Sequence, residues 1–298
     1  MRRFIYLVFL STAICFYACD VNDPTEFKPE YVVESYLFAA EPLPELKLSQ
    51  TVPFGEQYVF EEQAVSNAIV KLRLMSESGG VEKEYLYGEQ QKGIYRAANS
   101  ADRVLPLREY SMEITFPDDD ALLTSSTTVP DSFKIVQTSG DTVVFLSTEQ
   151  LEITVTPSFT PGRQNVFIFS TEAFDVRFEN LTPFFKDFFD EGKDGIEDFR
   201  INESPPINEE NYDRNPDGTL TIKLPWIAVS FFGENRISAN AIDDNIFNFI
   251  TSQNLQFTPS TLSPGEIPDV IDPIEGGRGI FGSFARVTKD IFIAKPGQ

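Results

Sequence analysis

The chain has 298 residues, 46 of them acidic against 24 basic, giving a net charge of −22, and it contains no histidine. Without imidazole there is no Ser-His-Asp triad, no Cys-His dyad and no histidine metal ligand, and so acidic a surface has little to offer the phosphates of a nucleic acid. Both cysteines, Cys15 and Cys19, fall in the first twenty residues, which leaves the folded body without a disulfide, a thiol nucleophile or a zinc-thiolate site.

The N-terminus reads as an address. Met1-Arg2-Arg3 is a short positive segment, Phe4–Ile14 an apolar run, and the chain turns polar at Asp20. The run is too short to span a bilayer comfortably and has the layout of a secretory signal peptide. Ala18 directly before Cys19 looks like a lipobox, with cleavage after Ala18 and lipid attachment at Cys19; Ile14 is too large to serve Cys15 in the same way. Loss of Arg2 and Arg3 would take the net charge to −24, so membrane attachment would rest on acyl chains and not on a basic patch. Residues 19–30 follow as a polar tether.

From Tyr31 the pattern is mainly β. Strands are predicted at 31–37, 46–51, 68–74, 81–87, 93–96 and 110–116, from period-two alternation and turn signals such as Gly79-Gly80. Their number and spacing predict an immunoglobulin-like β-sandwich over 31–136, with Asp118-Asp119-Asp120 as a solvated loop. A second β-rich domain is expected over 137–298, with strands at 142–146, 151–156, 166–171 and 219–224. It should carry short Phe-rich helices at 182–192 and 243–250, the first opening an acidic helical insertion at about 182–217. Phe184, Phe185, Phe188 and Phe189 share one face of that helix, which either packs on the sheet or docks a partner or membrane surface. Phe is the dominant aromatic, 28 against 10 Tyr and 1 Trp, and supplies buried area without a polar handle.

Chemistry-bearing patterns are few. Asp213, Asn215 and Asp217, with Gly218 behind them, match the first half of a calcium loop, but Leu224 stands where the bidentate glutamate belongs. The same residues also read as a tight turn into the strand that follows. No cofactor other than that calcium is suggested. Gly276, Gly277, Arg278, Gly279 and Gly282 form a glycine-rich string, either a kinked turn into the last strand or a loop that contacts a ligand or partner. There is no Gly-x-Ser-x-Gly, P-loop or dinucleotide fingerprint, and the chain reads as non-enzymatic.

Several segments together resemble the Bacteroidota outer-membrane lipoproteins that share domain of unknown function 4249: the lipobox cysteine, Tyr-Val-Val-Glu-Ser-Tyr-Leu at 31–37, Ala-Ile-Val-Lys-Leu at 68–72, Gly-Ile-Tyr at 93–95, Tyr-Ser-Met-Glu-Ile at 110–114, Thr-Val-Pro-Asp-Ser at 128–132 and Ile-Glu-Gly-Gly-Arg-Gly-Ile-Phe-Gly at 274–282. The segment 183–217 departs from that pattern. The resemblance implies an outer-membrane lipoprotein, periplasmic or surface-facing, serving as a binding or accessory subunit of a TonB-dependent transporter. Asp20 and Asp23 resemble the surface-export signals of that lineage. Cys19 is the one defined site that carries over. A surface adhesion or structural β-sandwich module is the alternative.

Overall fold

The alternation of buried and exposed residues along Tyr31–Phe38 (β1) sets the theme of the molecule: Val33, Ser35 and Leu37 point inward and the residues between them outward. The computed structural model describes residues 27–297, apart from 100, 149, 161, 191 and 258–269. The protein is mainly β. After β1 come β2 (Leu46–Gln50), a single helical turn α1 (Phe60–Gln63), β3 (Ile69–Met75), β4 (Val81–Gln91), β5 (Ile94–Ala97), β6 (Glu109–Phe116) and β7 (Asp119–Thr128). They hydrogen-bond in the order β1-β2-β5-β4-β3-β6-β7. Their inward side chains, among them Val33, Leu48, Leu72, Tyr95, Tyr110 and Ile114, make the first core. The arrangement is sandwich-like. The strand β7 had no counterpart among the expected strands. Asp119 and Asp120 are exposed as anticipated, yet they open this strand and do not form a loop.

The second half contributes β8 (Ile135–Thr138), β9 (Thr142–Val144), β10 (Leu151–Val155) and β11 (Val166–Ala173), then helix α2 (Pro183–Phe188) and the short strands β12 (Ile201–Glu203) and β13 (Ile207–Asn208). Next come β14 (Leu220–Leu224), β15 (Gly233–Ile242), helix α3 (Asp244–Phe257) and the long final strand β16 (Arg278–Ala294). A small sheet, β14-β10-β8, lies across β11, β15 and the C-terminal half of β16. Between them Leu151, Ile153, Phe167, Ile222, Ile237 and Ile293 form the second core. On the opposite face of the same strands, α3 covers Ile168, Ile242 and Ile280 with Ile246.

The division at residue 136 is bridged by the C-terminus. The first seven residues of β16 pair in parallel with β1, from Val32↔Arg278 to Phe38↔Phe284, and Ile274 and Phe281 fill the first core. Thr124 pairs with Glu275 and brings β7 round to the same segment. The rest of β16 pairs with β15 over ten residues. One strand thus belongs to both halves.

Helix α2 begins where expected after Thr182 but ends at Phe188, short of Gly192. Segment 182–217 is not a purely helical insertion, because β12 and β13 both pair with β11 and extend the large sheet. Helix α3 runs beyond the expected Ile250 to Phe257. Among the described residues no helix is long and apolar enough to cross a membrane.

Candidate functional site

At the outer edge of the second half, α2 leans over β12 and the turn Trp226–Ala228. Asn202 donates to the Ile227 carbonyl at 2.8 Å, and Thr171 donates to that of Ala228, which pins the turn to the sheet edge. The result is a mainly apolar groove of about 440 Å³, walled by Phe184, Phe185, Ile207, Tyr212, Leu224 and Ile227. Its volume and its sparse polar lining fall in the range of small-molecule and anchor-residue pockets.

The groove opens beside a contiguous set of six phenylalanines. Phe178 meets Phe189 at 5.5 Å between ring centroids, Phe189 meets Phe199 at 5.9 Å and Phe199 meets Phe185 at 5.8 Å. Phe185 continues to Phe184 at 5.2 Å, and Phe184 to Phe188 at 4.7 Å. The helix face predicted to act as a unit is therefore divided. Phe185 and Phe189 pack on Leu181 and Phe231, whereas Phe184 and Phe188 remain 40% and 66% exposed. Ile201 and Ile227 nearby are half exposed as well. This apolar surface lies in a segment, 175–217, with thirteen acids and five bases. Sequence reasoning found the Phe face from helical spacing; Asn202, Tyr212 and Ile227 join it only through the folding of the edge strands.

The glycine-rich string occupies a different place and has a different use. It lines no part of the groove. Gly279, with φ of +104°, stands opposite Val33 in the parallel pair, and a Cβ there would fall 2.1 Å from the Val33 carbonyl oxygen. A Cβ on Gly282 would fall 2.5 Å from Ile246 of α3. Gly276 and Gly277 press in the same way against the backbone oxygens of Leu122 and Tyr31. Close packing of β16 accounts for all four. Arg278 is paired with Glu30 at 3.1 Å and Asp272 at 2.9 Å, all three at the surface end of β16. The Arg278 side chain itself is half exposed, and pairs screened in that way contribute little. Arg278→Ala is expected to lower unfolding stability by less than about 1 kcal/mol, a difference that urea denaturation resolves.

Asp213, Asn215 and Asp217 sit on the turn before β14. Gly218 N–H donates to the Asn215 carbonyl at 2.8 Å, Thr219 donates to Asp217 through N–H and hydroxyl, and the Asn215 amide nitrogen donates to Thr219 and Thr221. Those bonds hold the Asp217 carboxyl below its ordinary range. The residues build the tight turn, and among the described residues no group of three or more acidic side chains is placed to hold a metal. Cys19 lies outside the described residues.

One functional-looking residue was read only as the acid leading a helix. Asp243 is 3% exposed. Its carboxylate caps α3 by accepting from Ile246 N–H at 3.0 Å and also accepts from the Thr127 hydroxyl. Thr127 in turn meets the Ser283 hydroxyl at 2.6 Å. Three elements from both halves meet on this one carboxylate. Burial pushes its pKa up to about 6, partly offset by those hydrogen bonds.

Comparison with known proteins adds the following. A family model described as domain of unknown function (DUF4249) matches residues 17–290. Among curated proteins, none matches. Among solved structures, trypsin-activated alpha-2-macroglobulin from Escherichia coli aligns over 90% of this chain and 16% of its own, at 9% identity and a TM-score of 0.23. A tetra-tandem repeat in the extending region of a large adhesion protein aligns over 89% of this chain and 49% of its own, at 9% identity and a TM-score of 0.23. This chain thus spans less than half the length of either, and likenesses this weak carry no functional argument.

Proposed function

This chain belongs to the family described by domain of unknown function 4249, and from that premise we propose that it is a lipid-anchored outer-membrane lipoprotein, a non-enzymatic accessory subunit that docks on a TonB-dependent barrel. The observation that carries the docking is the exposed part of the phenylalanine cluster, Phe184 and Phe188 beside the groove. Contiguous exposed aromatics at the mouth of a pocket are characteristic of interface anchors. The acids around them favour a protein partner over an anionic lipid surface, which the same charge repels. A matching partner would present an apolar knob ringed by basic side chains.

The test is affinity capture of the full-length lipoprotein from detergent-solubilised outer membranes, with mass spectrometry of what accompanies it. The expected result is a stoichiometric TonB-dependent barrel, reduced at least tenfold by the double variant Phe184→Ser, Phe188→Ser. A lipoprotein that elutes alone overturns the reading. In the same cells Cys19→Ala should release the chain to the soluble fraction; retention in the membrane would exclude the lipid anchor.

A further inference from the structure

The sheet face opposite the second core carries a second concavity. On β1, Tyr36 and Phe38 lie two residues apart, and parallel pairing sets them beside Gly282 and Phe284 of β16. Antiparallel pairing sets Asn240 of β15 beside Arg286. Period-two alternation puts these side chains on one face, and α3 roofs one end with Ile246, Phe249 and Ile250. They enclose about 310 Å³, at the lower end of the volumes that hold small organic ligands.

The cation in this cavity is Arg286. Nine other arginines among the described residues are paired with a carboxylate. Arg286 is paired with none. Its guanidinium lies 4.5 Å over the Phe38 ring and 5.9 Å from that of Phe284. Its Nε donates to Asn240 Oδ1 at 2.6 Å, and Asn240 is itself held by donating to the Ile168 carbonyl at 3.0 Å. Among the described residues the terminal nitrogens have no acceptor, so two parallel N–H groups are left free on an oriented fork. The Tyr36 hydroxyl, in the same cavity, makes no hydrogen bond to any described residue. Burial lowers the pKa of Arg286 and raises that of Tyr36 to about 12, with Glu34 and Glu203 adding to the latter. Both groups keep their protons at neutral pH and can act as donors.

We propose that this cavity binds a small amphiphilic monocarboxylate, its carboxylate held bidentately by Arg286 with Tyr36 donating alongside, and its apolar body lying against Phe284 and the residues of α3. The planar fork matches a carboxylate, and the aromatic stacking that orients it reduces the entropy lost on binding. Glu203 on the same wall disfavours a dianion, so a carboxylate is preferred to a phosphate. This inference stands apart from the docking reading, since the cavity shares only Glu203 with the walls of the α2 groove.

The test is calorimetric titration of the full-length chain in detergent with phenylbutyrate and with the matching neutral alcohol, phenylbutanol, empty micelles being subtracted. Phenylbutyrate should bind at least tenfold more tightly than the alcohol, as a charge-assisted pair requires. Arg286→Gln should bring the acid down to about the affinity that the alcohol has for the same variant, with urea unfolding reporting that the variant is folded. Tyr36→Phe should weaken the acid severalfold, and Glu203→Gln should strengthen it. Equal binding of acid and alcohol, no binding of either, or an Arg286→Gln variant that still prefers the acid overturns the proposal. Tighter binding of the corresponding phosphate monoester overturns the assignment to a monocarboxylate.

Discussion

Gly279→Ala is expected to destabilise the protein by at least about 3 kcal/mol, enough to leave little folded material at growth temperature. Two costs add at this position. With φ at +104° the backbone is in a region that an L side chain seldom adopts. The new methyl would also sit 2.1 Å from the Val33 carbonyl oxygen, far inside contact distance, and the strand on the other side cannot retreat. Val33 is fully buried and is paired on its second edge with Leu48 of β2. Gly55 isolates the first cost from the second. Its φ is +89°, but a Cβ there meets nothing within 4 Å, so Gly55→Ala should cost only about 1 kcal/mol. Guanidinium denaturation of the two variants checks this directly. Equal losses would mean that β1 and β16 can part at Gly279, and that the parallel pair is softer than its register implies.

The second large effect depends on pH. Asp243 titrates near 6 in the folded protein against an ordinary value of 3.8. Below the lower value the carboxyl is protonated in both states and costs nothing. Between the two values the unfolded chain gives up its proton first, so the folded state loses relative stability as pH rises. Above 6 both are ionised and the loss is complete, about 3 kcal/mol for a shift of about two units. Asp243→Asn keeps an oxygen for the Ile246 N–H and an amide for the Thr127 hydroxyl, and it has no charge to bury. The stability of the variant relative to wild type should therefore rise by about 3 kcal/mol between pH 3 and pH 7. The measurement is urea unfolding of both proteins across that window. Parallel stability curves would show that Asp243 ionises in the fold as easily as in water, and that the Thr127 and Ile246 bonds fully replace its hydration.

Most strands of the first half were legible because one face of each is wet. Period-two alternation in Leu46–Gln50, Ile69–Met75 and Glu109–Phe116 records an inner and an outer surface. Strand β15 escaped for the opposite reason. It lies between β11 and β16 with the second core on one face and α3 side on the other, so its six C-terminal residues, from Ile237 to Ile242, are all buried. Its Asn240 is tolerated inside because the Ile168 carbonyl of β11 accepts from it and Arg286 of β16 donates to it. A segment such as Ser-Ala-Asn-Ala has no strand signature of its own and becomes one through pairing. The same holds for Asp243, whose N-cap position is local while its burial comes from β7 and β16, 116 residues upstream at Thr127 and 40 residues downstream at Ser283.

The candidate site divides along the same line. The helical spacing of Phe184, Phe185, Phe188 and Phe189 was enough to mark an aromatic face, because periodicity in a helix is a property of nearest turns. Which two of the four stay exposed depended on Leu181 and Phe231 covering the others. Arg286 gave no signal at all; its meaning comes from Phe38 and Asn240, which lie 248 and 46 residues away. By itself, then, the sequence determined the β class, the position of the strands with one wet face and the family, all of which follow from local pattern and composition. Only the tertiary structure decided that β16 unites the two halves, that the glycines of the string pack against neighbouring backbone and side chains, and that Arg286 lies over Phe38 with no carboxylate partner among the described residues. Those are consequences of register between distant strands, and register is set by the sum of the side chains that must fit between them.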